Sequence, residues 1–235
     1  MGPGIKKWIR RLTLNRLGSP PMVRRVRREK LTYLSTDALC DLHDLARAVG
    51  EQGVTGCIIE AGCALGGSAI VLADAKPVET PLHVHDVFGM IPPPEENDGE
   101  DVHRRYSLIA SGAAVGIGGD RYYGYQPDLR NRVIEHFRRL GVPVERHHVE
   151  LHAGLFEDTL HPAEPVALAH IDGDWYRSVL TCLERIWPWL IVGGVLVIDD
   201  YDSWSGCRCA VNDYFANRRA ECRFERRARL HIVKL

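Results

Sequence analysis

Five acids each stand at the end of an apolar run. Glu60 follows Cys57-Ile58-Ile59, and Asp86 follows residues 82–85. Asp172 follows residues 166–171, and Asp199 with Asp200 follows residues 195–198. A carboxylate placed at the end of a core strand is costly unless it is paired, hydrogen-bonded or bound to a cation. Asp172, Asp199 and Asp200 converge if the two strands that carry them are neighbours. Three carboxylates so close repel one another, and a hard divalent cation offsets that repulsion. Oxygen donors alone suit Mg²⁺, Mn²⁺ or Ca²⁺ rather than zinc. The structural alternative has these acids capping the helices that follow and pairing with Arg177 or Arg208. Asp174 reads as the cap of the helix beginning at Tyr176.

The first acid opens a glycine-rich turn, Glu60-x-Gly62-x-x-x-Gly66-x-Ser68. Its spacing is not G-x-G-x-x-G and it lacks G-K-[ST], so neither a dinucleotide site nor a P-loop is indicated. A turn led by an acid suits a ligand carrying both an amino group and a carboxylate, such as S-adenosylmethionine. Asp86, closing the second strand, stands where a carboxylate accepts from both ribose hydroxyls. The bland readings are a tight strand-to-helix turn and a helix cap.

The acids need a scaffold that brings strand ends to one edge. Short apolar strands alternate with helical stretches. Strands are expected at about 57–60, 82–85, 144–151, 166–171 and 195–198, then a closing pair at 223–227 and 230–234. Helices are expected at about 36–50, 67–74, 127–140, 176–189 and 207–219, with Ser35 or Thr36 as the first N-cap. This pattern predicts an α/β fold with a mostly parallel seven-stranded sheet covered by helices on both faces, a Rossmann-like architecture. In such sheets ligands bind beyond the carboxyl ends of the strands. Residues 89–126 are rich in Gly and Pro and show no clear core element; they read as a lid or insertion. Its Tyr106, Arg121, Tyr122, Tyr123 and Tyr125 suit sugar faces or anionic groups, or else loop packing and a dimer contact.

Composition narrows the class. The 235 residues are 45% hydrophobic and 26% charged, with a formal net charge of −1, as in a globular protein. The longest apolar run, residues 187–198, is broken by Pro188, Gly193 and Gly194 and is too short for a membrane span. No secretory signal is visible, and the seven scattered cysteines suit a reducing, cytoplasmic setting. Cys207-Arg208-Cys209 reads as plain helix. Residues 1–30 hold ten Lys/Arg and one acid, leaving 20 bases and 30 acids in the rest. The chain therefore divides into a basic N-terminal arm, residues 1–30, and a single domain, residues 31–235. The arm's stretch 5–12 suits an amphipathic helix that touches a polyanion or a membrane surface, or a packed extension. The net acidic body argues against nucleic acid as the partner.

Three strings carry a resemblance. They are His170-Ile171-Asp172-Gly173-Asp174-Trp175-Tyr176, then Gly193-Gly194-Val195-Leu196-Val197-Ile198-Asp199-Asp200-Tyr201, then Gly206-Cys207-Arg208-x-Ala210-Val211. Together with Asp86-Val87-Phe88-Gly89 and Gly154-x-Phe156-x-Asp158-Thr159-Leu160, they resemble the macrocin O-methyltransferase family over roughly residues 31–220. The turn differs in reading Cys63-Ala64-Leu65 where a Trp-Arg pair is expected. The resemblance implies a class I fold, S-adenosylmethionine as donor, Mg²⁺ or Mn²⁺ as metal, and a sugar hydroxyl of a glycosylated natural product or oligosaccharide as acceptor. By it Glu60, Gly62, Gly66 and Ser68 line the cofactor's amino-acid end. Asp86 takes the ribose, Leu155 and Phe156 border the adenine, and Asp172, Asp199 and Asp200 hold the metal.

The expected chemistry is an in-line methyl transfer to a hydroxyl whose pKa the metal lowers. Asp172 is the leading candidate base, from its place beside metal and substrate; His148, His152 and His170 are weaker ones, His170 also reading as a buried structural residue. Tyr33 precedes the first core helix and is placed to close over the cofactor. Catechol-type enzymes carry a lysine three residues past the first acid; Trp175 stands there, which disfavours a lysine-assisted mechanism. A catechol-like diol as acceptor, an RNA-associated methyltransferase using the arm, and a related fold with hydroxylase chemistry are the competing readings. The protein is expected to be a homodimer.

Overall fold

The computed structural model describes residues 18–51 and 55–235. The basic stretch 5–12 lies outside these residues. Strand β1 (Cys57–Ala61) and strand β4 (Val166–Ile171) are buried at every position. A strand can be apolar throughout only when both sheet faces are covered. Along β1, Ile58 belongs to one core cluster and Ile59 to the other, so alternate residues feed opposite layers. The full sheet runs β3-β2-β1-β4-β5-β7-β6. Strands β2 (Leu82–Asp86) and β3 (Val149–Ala153) extend it on one side of β1, and β5 (Leu190–Ile198) pairs with β4. These five are parallel. The closing pair β6 (Cys222–Arg226) and β7 (Leu230–Lys234) is antiparallel, β7 lying against β5. The seven-stranded, mostly parallel arrangement is the expected one. The strand order reverses at β1, so the crevice between the ends of β1 and β4 is the place for a ligand.

One layer holds α1 (Pro21–Arg28), α2 (Thr36–Glu51), α3 (Gly67–Ala75) and α5 (Leu129–Leu140). The Ser35 hydroxyl accepts the Ala38 N–H at 3.2 Å and caps α2, as expected. Helix α3 is buried over Gly67 to Ala73, which explains why it shows no amphipathic stripe. It touches the chain ahead of α2 directly: the Gly67 N–H donates to the Leu31 carbonyl at 3.0 Å, and a Cβ on Gly67 would lie 2.5 Å from that oxygen. The other layer is formed by α7 (Tyr176–Ile186) and α8 (Ser205–Phe215).

Three boundaries differ from the sequence reading. Met22, Val23 and Val26 of α1 are buried in the main core, so residues 21–30 pack with the body rather than with an arm. Burying three such side chains is worth about 5 kcal/mol. Residues 144–146 form a single 3-10 turn, and β3 begins only at Val149. The 89–126 segment contains a helix, α4 (Glu100–Ala110), and a small core of Ile109, Ala114 and Tyr122. The Tyr125 hydroxyl donates to the Ile109 carbonyl and accepts the Ala114 N–H at 3.2 Å, which folds the segment onto itself.

Candidate active site

A cavity of about 360 Å³ opens where β1, β2, β4 and β5 end, roofed by the 89–126 segment. Its first wall is the turn after β1. Gly62 has φ +89°, and a Cβ there would sit 1.9 Å from the Asp172 carbonyl oxygen. Only glycine allows the ends of β1 and β4 to approach this closely. Asp86 reaches across from β2 and lines the same wall. Its Oδ2 accepts the N–H groups of Cys63 at 2.7 Å and Ala64 at 3.1 Å, and its Oδ1 accepts Phe88 at 2.6 Å. Burial raises its pKa, and these backbone donors act against that. A carboxylate offers about four acceptor positions. Three are spent on these N–H groups, and the Cys63 thiol also bonds to the carboxylate. Leu155, Phe156 and the half-exposed Tyr33 complete this wall.

Glu60, Gly66 and Ser68 do not line the cavity. β1 runs one residue further than expected, to Ala61, so Glu60 sits below the rim and fully buried. Its Oε1 accepts the Ser68 hydroxyl, and its Oε2 meets His170 Nδ1 at 3.0 Å. Gly66 caps α3 in a left-handed conformation against Val133. Their contacts hold the turn in place.

His170 is fully buried between two acids, its Nε2 lying 3.7 Å from Asp199 Oδ1. Burial opposes its charge, but Glu60 and Asp199 outweigh that and raise its pKa to about 10. A charged imidazole is a counter-ion and not a base, so His170 is removed from the catalytic set. His148 is removed too. It precedes β3 at the opposite end of the sheet, and its Nε2 lies 3.3 Å from Glu79. His152 points into a histidine cluster with His83 and His85, away from the cavity lining.

The acids form the second wall. Asp172, Asp174, Asp199 and Asp200 all line the cavity. Asp172, Asp174 and Asp200 each present a carboxylate oxygen within 4.8 Å of the other two. Asp200 Oδ2 is buried with no hydrogen-bond partner among the described residues. Burial first, then neighbouring carboxylates, hold Asp172 and Asp174 well above the usual range; Asp200 is raised to about 7, by burial and then Asp199. Asp174 adopts φ +55°, and its N–H donates to the Asp200 carboxylate. Asp199 behaves differently. Arg229 Nε donates to its Oδ1 at 2.6 Å, and with His170 this lowers its pKa despite burial. The structure therefore brings the three expected ligands together but puts Asp174 in the open cluster and Asp199 in an ion pair. An orphaned buried oxygen among three carboxylates fits a hard cation.

The roof is keyed to the same strand ends. Asp98 Oδ1 accepts the Tyr176 N–H at 2.8 Å, capping α7, and Asp101 Oδ2 accepts the Ser205 N–H at 2.9 Å, capping α8. Trp175 Nε1 donates to the Pro92 carbonyl at 3.0 Å. The cavity receives Ile91, Pro92, Arg105, Ile109, Tyr122 and Tyr123 from this segment, and Trp175 and Trp204 meet edge to face across it with centroids 5.7 Å apart. Of the expected lid residues, Tyr122 and Tyr123 line the cavity; Tyr106, Arg121 and Tyr125 do not. Arg105, Trp204 and Arg229 were missed. Arg105 lies inside an unrecognised helix, and Arg229 sits on a hairpin far along the chain.

A doubly layered parallel sheet with an antiparallel closing pair, and a cavity between a glycine turn and strand-end acids, defines a class I methyltransferase. The model of the macrocin O-methyltransferase (TylF) family matches residues 28–226, and the chain belongs to that family. It is an O-methyltransferase. Its relatives include an 8-demethyl-8-(2,3-dimethoxy-α-L-rhamnosyl)-tetracenomycin-C 4'-O-methyltransferase of Streptomyces olivaceus. That protein is 28% identical over 197 residues, covering 78% of this chain and 67% of the relative. A demethyldecarbamoylnovobiocin O-methyltransferase of Streptomyces niveus is 27% identical, covering 79% and 68%. The solved structure of the O-methyltransferase NovP superposes with a TM-score of 0.69 at 24% identity, over 87% of this chain and 82% of that one.

Proposed function

We propose that this protein transfers a methyl group from S-adenosylmethionine to a sugar hydroxyl of a glycosylated small molecule, with a hard divalent cation at Asp172, Asp174 and Asp200. The observation that carries this reading is the division of one cavity into two walls that meet at Gly62 and Asp172. The main-chain and apolar wall, with Asp86, Leu155 and Phe156, suits a nucleoside and its amino-acid tail. The acidic wall, flanked by Trp175, Trp204 and Tyr122, suits a polyhydroxylated ring whose C–H face stacks on aromatics. The names of the relatives, one acting on a rhamnosylated polyketide, support the acceptor class.

The chain's own residues do three things in this reading. Asp86 and the Gly62 turn fix the donor so that its methyl faces the acid wall. The roof, anchored through Asp98 and Asp101, excludes water and holds the acceptor ring; such orientation can supply several kcal/mol. A carboxylate of the acid wall takes the hydroxyl proton, since no histidine among the described residues lines the cavity. A divalent cation bound there supplies Lewis acidity that lowers the hydroxyl pKa. His170 and Arg229 neutralise Asp199 and so offset part of the negative charge it adds beside the cluster. Seven cysteines, none in a disulfide among the described residues, suit a reducing compartment, the cytoplasm.

The test is transfer of tritiated methyl to a panel of rhamnosylated and other glycosylated small molecules, with Mg²⁺ and after EDTA. Labelling of a glycoside but not its aglycone, lost on chelation and restored by Mg²⁺, is expected. Full turnover in EDTA overturns the metal assignment, and labelling of aglycones alone overturns the acceptor.

A further inference from the structure

A second donor cluster lies on the edge of the sheet, on residues the methyl-transfer reading does not use. In the β2–β3 pairing His83 is opposite Glu150 and His85 is opposite His152, so all four side chains leave the same face. His83 Nδ1 is 3.2 Å from His152 Nε2. Glu150 Oε2 is 3.6 Å from that His83 nitrogen and 3.7 Å from the His152 nitrogen. The three atoms thus make a nearly equilateral triangle. Donors about 2.0–2.1 Å from a tetrahedral zinc are about 3.3–3.4 Å apart, so this triangle is close to one face of such a site.

The surroundings are those of a held ligand set. Metal-bound histidines usually give their second N–H to a carboxylate, which fixes the tautomer. His83 Nε2 lies 3.2 Å from Glu164 Oε1, the required partner on the far side of the ring. The His152 ring is stacked on His85 at 4.5 Å and 14°, and His85 is itself held by the Thr159 hydroxyl at 3.2 Å. Both rings are therefore fixed before any ion arrives. Glu150 is 68% exposed, so the triangle opens to solvent and an ion has a path in.

We propose that His83, Glu150 and His152 bind a borderline divalent transition cation, zinc being the representative, with water as the fourth ligand. Two imidazoles and one carboxylate select such ions over Mg²⁺ and Ca²⁺. The site is therefore chemically separate from the all-oxygen cluster in the cavity. Its role is a clamp. It ties edge strand β3 to β2 and, through His85 and Thr159, braces the 154–160 turn that forms the apolar cavity wall.

The experiment uses the tag-free full chain carrying Cys209→Ser, which removes the exposed thiol, in buffer with millimolar Mg²⁺. Titration with Co²⁺ followed by visible absorption, and with Zn²⁺ by calorimetry, is expected to give one equivalent with a tetrahedral Co²⁺ spectrum. His152→Gln and Glu150→Gln are each expected to weaken binding at least tenfold, and Asp200→Asn to leave it unchanged. Zn²⁺ is expected to raise the thermal midpoint of the parent but not of these two variants. Glu150 is exposed, so its variant folds and keeps the test decisive. Binding abolished by millimolar Mg²⁺, or unchanged in both variants, or lost in Asp200→Asn, overturns the site.

Discussion

Asp200 has a buried oxygen without a partner and a pKa raised to about 7, so its charge is a burden to the metal-free protein. A group whose folded pKa lies above its unfolded value stabilises below the unfolded pKa, near 4, and that contribution is lost as pH rises through about 7. Asp200→Asn is therefore expected to abolish methyl transfer yet raise the thermal midpoint at pH 8 in metal-free buffer. The gain should fade toward pH 4; a variant less stable at pH 8 contradicts this account. Asp86 carries the opposite expectation. Removing it orphans three N–H groups of the turn, so Asp86→Ala should lose about 2 kcal/mol of stability as well as donor affinity. Urea unfolding and calorimetry with S-adenosylmethionine separate the two effects. Which acids close a strand was legible in the sequence; which of them look into the cavity was not. Glu60 and His170 each lie one residue inside the strand ends at Ala61 and Ile171 and face each other in register, so their side chains meet in the interior.

Secondary-structure elements explain why the roof was hard to see. Helix α4 buries only Val102 and Ile109, seven residues apart, which leaves no stripe for a periodicity argument to find. Helix α1 hides its short apolar set, Met22, Val23 and Val26, among arginines. The parallel strands were readable because β1 and β4 are apolar at almost every position. Edge strand β3 was not: its ladder is half-exposed, and the expected strand drifted into the turn before it. The roof's attachment is testable at this scale. Asp98→Ala should cost about 1 kcal/mol through the lost α7 cap and should expose residues 89–126 to limited proteolysis, with the sheet intact. Cleavage at the same rate as in the parent would mean that Asp98 does not hold the roof. Gly206→Ala should act on the same joint, because its Cβ would lie 1.9 Å from Asp98 Oδ1.

Across the whole molecule, charge balance at the site sets the alkaline limit. His170 is raised to about 10 by Glu60 and Asp199. Its contribution is complete below an unfolded pKa of about 6.5 and is lost as pH climbs through about 10. Metal-free protein should therefore lose stability steadily from pH 6.5 to 10. Mg²⁺ should return the share lost at the carboxylates and leave the share lost at His170. Urea midpoints across that range, with and without Mg²⁺, check this; complete rescue at pH 10 would contradict it. The placement of Asp98 between the first residues of α7 and α8 has a further consequence for engineering. The segment that meets the acceptor is bolted to the two loops that present the acids, so its shape and theirs are adjusted together. Grafting the 89–126 segment from a relative onto this scaffold by itself would leave a mismatched joint. Acceptor preference should move between such enzymes only as a three-piece cassette of that segment with residues 172–177 and 203–206.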